Sequence, residues 1–261
     1  MSSVQLAADY LLYRLRSFKL HGIHSPFVFD LYRNVLLHTG HFPAYDRVES
    51  LREKMLQDDR KLQVTDLGAG SKNLKQWQRA VKEIARTSAK PPKYGQLLFR
   101  LVNSFQPETI FELGTSLGIT TSYLAEARTQ ASIHTFEGCP VTAKLARENF
   151  KRLGLKQVQL IEGDLDDTLE RQLLKIVKLD FAFFDGNHRY TPTMQYFETC
   201  LTKHHEYSVF VMDDIYWSGE MKQAWKDIKA HPQVMQTVDL FFVGLVFFRT
   251  TQPKEHFILS F

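Results

Sequence analysis

The fold is decided by the stretch ELGTSLG at residues 112–118, which follows the apolar run Thr109–Leu113. Its glycines allow a tight turn and a close approach of the backbone to a ligand. The next apolar run ends at Glu137, 25 residues after Glu112. This spacing suits one strand–helix–strand unit, in which the second acid binds ribose hydroxyls. The stretch therefore predicts a nucleotide-type ligand site at the end of a parallel strand.

A second glycine-rich stretch, DLGAG at residues 66–70, competes for the same role. After Asp66 no strand candidate begins until Thr109, so the spacing of one strand–helix–strand unit is missing there. We therefore treat residues 66–70 as structural and assign the site to residues 112–118. The Gly-x-x-x-Gly spacing of Gly114 and Gly118 differs from the Gly-x-Gly-x-x-Gly pattern of dinucleotide sites. It suits a ligand without a pyrophosphate, and S-adenosylmethionine is such a ligand.

Short apolar runs alternate with amphipathic stretches from about residue 93 onward. The strand candidates are Thr109–Leu113, Ser132–Glu137, Gln157–Ile161, Leu179–Phe184, Ser208–Met212, Thr237–Phe241 and Val243–Arg249. The helix candidates cover residues 94–105, 118–128, 140–153, 166–176, 191–203 and 219–230. This alternation predicts an α/β fold with five parallel strands covered by helices on both faces. The last two strands are nearly contiguous and should pair antiparallel, which resembles the Rossmann-like sheet of the class I methyltransferases.

Residues 1–90 are predicted to form a mostly helical extension, and residues 91–261 the S-adenosylmethionine-binding domain. Four apolar residues near the N-terminus share one helical stripe, namely Ala7, Leu11, Leu15 and Phe18. Further helices are expected over residues 26–37, over 47–57 and up to about Thr87. The segment KPP at residues 90–92 marks the boundary between the two parts.

Composition excludes several classes of protein. The chain has 261 residues, a net charge of +4, 44% hydrophobic residues and 24% charged residues, which is typical of a globular protein. The apolar run Leu240–Phe248 is far shorter than a membrane span, and the N-terminus lacks the pattern of a signal peptide. Two cysteines form no disulfide framework, so we expect a cytoplasmic protein. The charge is too small to indicate nucleic acid by itself.

A family resemblance rests on six motifs in order over residues 88–249. They are YGQ at 94–96, ELGTSLG at 112–118, Glu137, EGD at 162–164, DGNHRY at 185–190 and DDIYWSG at 213–219. This part of the chain resembles the catechol and caffeoyl-CoA O-methyltransferases and related bacterial small-molecule O-methyltransferases. The resemblance implies S-adenosylmethionine as the methyl donor and a small hydroxylated acceptor. The residues it assigns to the donor are Glu112, Gly114, Thr115, Ser116, Gly118, Thr120, Glu137, Asp164 and Asp185.

Three carboxylates follow two of the predicted strands. Asp185 follows the fourth parallel strand, and Asp213 and Asp214 follow the fifth. Because ligands bind at the carboxyl edge of an open parallel sheet, all three are expected near one crevice. Oxygen ligands suit a hard divalent cation, most often Mg²⁺. In the resembling family the equivalent residues hold a metal that chelates two adjacent hydroxyls.

Two departures from the plant and mammalian pattern bear on this metal site. The third ligand there is Asn, whereas this chain has Asp214. The general base there is Lys, whereas this chain has His188, three residues after Asp185. Because histidine titrates near neutral pH, we predict His188 as the base, with Asp185 as the second catalytic residue. The donor site is unaffected by these departures, but the identity and the need of the metal are left open.

Two other functions and one assembly remain as alternatives. The same fold modifies a tRNA base hydroxyl in some relatives, and basic residues are scattered through the N-terminal third; a solvated helix face explains them more simply. A donor-binding scaffold without activity is the other alternative, against which the intact acids argue. The resemblance also allows a homodimer, for which the antiparallel end strands offer an edge.

Overall fold

The computed structural model describes residues 3–19, 22–65 and 76–261. The competing glycine-rich stretch at residues 66–70 lies outside this part of the chain. The chain divides into two compact units, one formed by Thr39–Lys175 and the other by residues up to His38 together with Ile176–Phe261. This division does not follow the predicted boundary at residue 90, which stays a prediction about the roles of the two parts.

The helices and strands follow one another along the chain as expected for an α/β protein. The helices are α1 (Ser3–Arg16), α2 (Pro26–Leu31), α3 (Pro43–Leu56), α4 (Val81–Ser88), α5 (Pro92–Phe105), α6 (Ile119–Ala127), α7 (Pro140–Leu153), α8 (Leu165–Leu173), α9 (Tyr190–Leu201) and α10 (Gly219–Ala230), with a π-helical turn at Tyr32–Leu36. The strands are β1 (Lys61–Thr65), β2 (Gln76–Ala80), β3 (Thr109–Leu113), β4 (Ser132–Glu137), β5 (Val158–Glu162), β6 (Phe181–Phe184), β7 (Val209–Asp213), β8 (Gln236–Asp239), β9 (Val243–Phe247) and β10 (Glu255–Ile258). Among the residues described, no helix is long and apolar enough to cross a membrane.

The unit Thr39–Lys175 contains three parallel strands joined by helices. Strand β3 pairs with β4, and β4 pairs with β5. Helices α6 and α7 connect them, as the strand–helix alternation predicts. Four of the five residues of β3 are buried, as is typical of a strand in a parallel sheet. The parallel arrangement that places Glu112 and Glu137 at neighbouring strand ends is therefore confirmed.

A β-hairpin replaces part of the helix expected before Thr87. Strands β1 and β2 pair antiparallel, with Lys61 opposite Ala80 and Thr65 opposite Gln76. Helix α4 begins directly after the hairpin, where the Glu83 side chain accepts a hydrogen bond from the Ala80 N–H at 3.1 Å. The sequence of β1 alternates between polar residues and the apolar Leu62 and Val64, a period of two that is typical of a strand. The prediction of a helix ending near Thr87 is therefore wrong over Gln76–Ala80, which form β2, and is confirmed over α4.

The strands of the second unit form both parallel and antiparallel pairs. Strand β6 pairs with β7 in parallel. Strand β9 pairs antiparallel with both β7 and β8, so the predicted antiparallel pair is confirmed. Strand β10, which the sequence analysis missed, pairs in parallel with β8. It covers the edge of β8 that was expected to be available for a homodimer.

The side of helix α1 that carries Asp9 and Tyr13 packs against the protein, and its apolar stripe is exposed. The Tyr13 hydroxyl donates to the carbonyl of Leu259, and Lys222 Nζ lies 2.8 Å from Asp9 Oδ2. In contrast, Leu11 is 63% exposed and Leu15 is 83% exposed. The helical spacing was predicted correctly, but the face that packs is the one carrying Asp9 and Tyr13. The rings of Tyr10 and Tyr13 also contact Phe241, so aromatic packing and hydrogen bonds together hold this face.

Candidate functional site

The turn after β3, residues 114–118, is named the glycine turn. Gly114, Ser116 and Gly118 have φ angles of 111°, 49° and 75°, respectively. The turn is closed by the Gly118 N–H, which donates to the Thr115 carbonyl at 2.9 Å. A Cβ atom at Gly118 would lie 2.5 Å from the Phe150 ring. Gly118 is therefore required both by its left-handed backbone and by the closeness of its neighbour.

Glu137 ends β4 beside the glycine turn. Its Oε2 accepts a hydrogen bond from the Ser116 N–H at 2.8 Å, and its Oε1 accepts one from the Cys139 N–H at 2.9 Å. Two backbone donors thus fix the orientation of the carboxylate, which stays partly accessible. The structure brings together the two features that the sequence analysis paired by spacing alone. A carboxylate held in this way can accept further hydrogen bonds from ligand hydroxyls.

Glu112 lies in the core rather than on a ligand surface. Its side chain is fully buried and accepts hydrogen bonds from the Thr121 hydroxyl and, at 2.7 Å, from the Thr135 hydroxyl. Thr135 in turn lies 2.5 Å from the Thr115 hydroxyl of the glycine turn. Glu112 and Thr115 therefore support the turn from below, while the predicted role of both residues in donor binding stays a prediction. The buried Thr120 lies one residue before Thr121 in α6.

Asp164 caps the helix that follows β5. Its side chain accepts a hydrogen bond from the Asp166 N–H at 3.0 Å, which satisfies a donor of the first turn of α8. The preceding Gly163 has a φ of 134°, and its N–H donates to the carbonyl of Glu137 at 3.0 Å. The hydrogen bond of Gly163, the residue before Asp164, thus holds this turn next to the backbone of Glu137. The capping role is shown, while a role in donor binding stays a prediction.

A cavity of about 440 Å³ opens beside the glycine turn. Ser116, Glu137 and Cys139 line it from the predicted donor site. The remaining lining comes from the hairpin, from α4 and from α7, through Val64, Thr65, Arg79, Ile84, Ser88 and Thr142. Its volume lies within the range of small-molecule and cofactor sites. The hairpin lining was not predicted: residues 66–70 after β1 were treated as structural, and Arg79 was placed in a helix.

In the other unit, three side chains at strand ends form a cluster that we name the metal triad. It consists of Asp185 after β6, His188 three residues later and Asp213 at the end of β7. One potential ligand atom from each lies within 4.8 Å of the other two. Ligands on opposite sides of a divalent cation stand about 4–5 Å apart, because each bond is about 2.0–2.5 Å long. The residues present therefore fit a divalent cation.

Asp214 does not belong to the metal triad, although the sequence analysis predicted it as a ligand. Its backbone has a φ of 51°, its N–H donates to the Phe242 carbonyl at 2.7 Å, and its carbonyl accepts from the Trp217 N–H at 2.9 Å. This left-handed turn ends the strand directly after Asp213. Asp214 therefore shapes the turn, and His188, predicted as the base, takes the third place in the cluster.

An aromatic cluster follows Asp214 along the chain. Tyr216 stacks on Phe241 with ring centroids 4.7 Å apart and an interplanar angle of 13°. Its hydroxyl donates to Asp239 Oδ2 at 2.9 Å, and the Trp225 N–H donates to the same oxygen at 3.1 Å. Burial raises the pKa of the Asp239 carboxyl, and these hydrogen bonds partly oppose the rise. Tyr216 is thus a packed residue, whereas Trp217 is 60% exposed.

Sequence comparison shows that part of the chain is similar to known methyltransferases. Residues 111–215 match the family model described as a methyltransferase domain. A catechol O-methyltransferase of Niastella koreensis is 29% identical over 133 residues, which cover 50% of this chain and 59% of that protein. The chain thus matches less than two thirds of the length of this curated relative.

Solved structures share the fold at lower sequence identity. An O-methyltransferase from Bacillus cereus in complex with SAH has a TM-score of 0.56 and 20% identity over 84% of this chain and 97% of its own. An SAH-bound methyltransferase from Podospora anserina has a TM-score of 0.60 and 16% identity over 87% of this chain and 97% of its own. Residues 111–215 match the methyltransferase domain model and the solved structures share the fold, in agreement with the class I methyltransferase resemblance recognised in the sequence.

Proposed function

We propose that the protein is an S-adenosylmethionine-dependent O-methyltransferase that acts on a small hydroxylated acceptor. The observation that carries the proposal is the Glu137 carboxylate, held by two backbone donors at the edge of a 440 Å³ cavity beside the glycine turn. Such a carboxylate can accept hydrogen bonds from both ribose hydroxyls of the donor. Gly114 and Ser116 would let the backbone approach the rest of the donor, with Asp164 close by.

A divalent cation is the second part of the proposal. Asp185, His188 and Asp213 would hold it, and when bound it would lower the pKa of an acceptor hydroxyl and orient that group. A catechol or diol acceptor is proposed because the curated relative bears the name catechol O-methyltransferase. The acceptor oxygen forms the new C–O bond while the C–S bond of the sulfonium breaks and its electron pair stays on sulfur. The protein's task is chiefly alignment.

The acceptor hydroxyl must also lose a proton. His188 was predicted as the base, but its Nε2 lies 3.5 Å from Asp185 Oδ1, within the metal triad. A ring nitrogen whose lone pair binds a cation cannot accept the proton at the same time. The two roles of His188 are therefore alternatives, and they are distinguished below.

The RNA alternative finds less support in the structure. Of the basic residues behind it, Arg14 donates to the Ser260 hydroxyl at 3.1 Å and Arg33 pairs with Asp30 at 3.2 Å. These contacts give both side chains an intramolecular role. The Asp30 carboxylate offsets the charge of Arg33, whereas a phosphate-binding patch groups cations together.

Calorimetric titration of the full chain with S-adenosylmethionine tests the donor site. Glu137→Ala should weaken binding by about 100-fold, because hydrogen bonds to a charged group are lost. Glu137→Gln keeps the volume of the side chain and should still weaken binding, which separates ligand contact from misfolding. Glu148→Ala, the same change on the exposed face of α7, is the control and should bind like the wild type. Equal affinity in all four proteins would refute the proposal.

A further inference from the structure

We propose that His188 is a direct ligand of a divalent cation, together with Asp185 and Asp213, and that this site prefers first-row transition cations to Mg²⁺. The proposal deepens the metal-assisted reaction proposed above and rests on it for its biological purpose. Its geometry stands on the metal triad alone. It replaces both the oxygen-only ligand set and the role of base that the sequence analysis gave to His188.

The first argument is distance. The three potential ligand atoms lie within 4.8 Å of one another, which is the span that one cation bridges. Asp213 is 1% exposed, and the side chains of Asp185 and His188 are 15% and 23% exposed. Two carboxylates at this depth repel each other, and a cation between them would remove the repulsion. The remaining exposure leaves room for solvent or an acceptor to complete the coordination shell.

The second argument is the backbone that presents His188. Asn187 has a φ of 50°, and its carbonyl accepts a hydrogen bond from the Arg189 N–H at 2.5 Å. This hydrogen bond closes a tight three-residue turn over Asn187–Arg189, with His188 at its centre and three residues after Asp185. Asn tolerates the left-handed region better than most residues do. The turn therefore constrains the backbone of His188, whose Nε2 lies 3.5 Å from Asp185 Oδ1.

The third argument is the chemistry of the set. A site made only of carboxylate, carbonyl and water oxygens suits Mg²⁺, whereas imidazole suits transition cations. The predicted set of Asp185, Asp213 and Asp214 offers only oxygen ligands. With His188 in place of Asp214 as the third ligand, the set offers one nitrogen and two carboxylates. That set should bind Mn²⁺ or Co²⁺ more tightly than Mg²⁺. Since the imidazole lone pair is then engaged, His188 cannot also accept the proton of the acceptor hydroxyl.

Pulsed EPR of the full chain loaded with Mn²⁺ tests the proposal without measuring activity. A directly bound imidazole gives a ¹⁴N coupling to the manganese, and this signal should be present in the wild type and absent in His188→Ala. In parallel, calorimetry should give an affinity for Mn²⁺ at least about tenfold higher than for Mg²⁺. His188→Gln offers an amide oxygen in place of nitrogen and should narrow that ratio.

Two neighbouring substitutions supply the matched control. Asp213→Asn and Asp214→Asn make the same chemical change at adjacent positions. Asp213→Asn should weaken Mn²⁺ binding by about tenfold or more. Asp214→Asn should leave it unchanged, because Asn tolerates the left-handed turn and Asp214 is not a ligand. Weaker Mn²⁺ binding in Asp214→Asn, with wild-type binding in His188→Ala, would restore the oxygen-only set and overturn the proposal.

The remaining outcomes separate this inference from the proposed function. Mn²⁺ that binds without a ¹⁴N coupling, or does not bind at all, overturns the role of His188 but leaves donor titration by calorimetry unaffected. Conversely, a protein that shows the ¹⁴N coupling and the dependence on Asp213, yet does not bind S-adenosylmethionine, upholds the ligand role and refutes the proposed methyl transfer.

Discussion

The glycine turn and the metal triad reach their geometry in different ways. Backbone groups build the glycine turn: Ser116 and Gly118 have positive φ angles, and a main-chain N–H of Ser116 orients Glu137. Side chains build the metal triad: Asp185 and His188 are three residues apart, and Asp213 comes from the next strand. A site made of backbone can be predicted from glycines and spacing. A site made of side chains depends on which way each residue points, and that is set by the turns before it.

The largest expected effect comes from breaking the glycine turn. Gly118→Ala combines a left-handed φ with a Cβ only 2.5 Å from the Phe150 ring, so it should lower the free energy of unfolding by about 2–5 kcal/mol. Gly154→Ala is the matched control: its φ is 73°, but a Cβ would meet nothing within 4 Å. It should cost only about 1 kcal/mol. Urea unfolding of both variants measures the difference, and equal losses would show that the contact with Phe150 is unimportant.

The metal triad should respond to a cation, whereas the glycine turn should not. Mn²⁺ at about 100 times its dissociation constant should raise the free energy of unfolding by about 2.7 kcal/mol. The gain should disappear with EDTA and in His188→Ala, because both remove the binding. Thermal unfolding with and without Mn²⁺ provides the measurement. Gly154→Ala should gain as much as the wild type, and an equal gain in His188→Ala would contradict the triad.

The support beneath the glycine turn can be tested separately from the turn itself. Thr135→Val removes the hydroxyl that donates to the buried Glu112 carboxylate, and should lower the free energy of unfolding by about 2 kcal/mol. Donor affinity should fall less than in Glu137→Ala, since Glu112 does not reach the cavity surface. Urea unfolding and donor calorimetry on the same sample distinguish support from contact. A loss of affinity as large as that of Glu137→Ala would return Glu112 to the ligand surface.

The smallest expected effect concerns pH. Burial, and then the charge of Lys175, lower the pKa of His134 in β4. The folded protein therefore binds this proton less readily than the unfolded chain, and stability should fall as pH drops below the ordinary histidine range near 6.5. His134→Gln should reduce that slope, measured by urea unfolding between pH 7.5 and 5. The exposed His24→Gln is the control, and an equal change in slope there would exclude His134 as the cause.

The parts of the donor site that depend on chain spacing were predictable. The glycines and the acid one unit later predicted that Glu137 and residues 114–118 would meet, and they do. The depth of Glu112 was not predictable, because burial depends on helix α6 bringing Thr121 over the strand. The hairpin was missed because its period of two spans only five residues on each side of a long connection.

The metal triad shows where sequence reasoning ends. The sequence named Asp185, His188, Asp213 and Asp214 as functional candidates, and three of the four come together. Which three depends on left-handed turns at Asn187 and Asp214, and neither residue type announces such a turn reliably. The prediction that the apolar stripe of α1 packs was wrong for a related reason. Periodicity predicts that a helix has a packing face, but it does not predict which contacts select that face.

Hydrogen bonds between residues 18–32 and Ser260 affect the order in which the protein can fold during synthesis. The Ser260 N–H donates to the Phe18 carbonyl at 3.0 Å, and the Tyr32 hydroxyl donates to the Ser260 carbonyl at 2.9 Å. Phe18 and Tyr32 are thus synthesised long before Ser260 and lack this partner until it has left the ribosome. The consecutive stretch Thr39–Lys175 has no such delay. In a ribosome-bound chain stalled at residue 261, we expect a protease to spare Thr39–Lys175 and to cleave the residues before Thr39. After release of the chain, both segments should be protected.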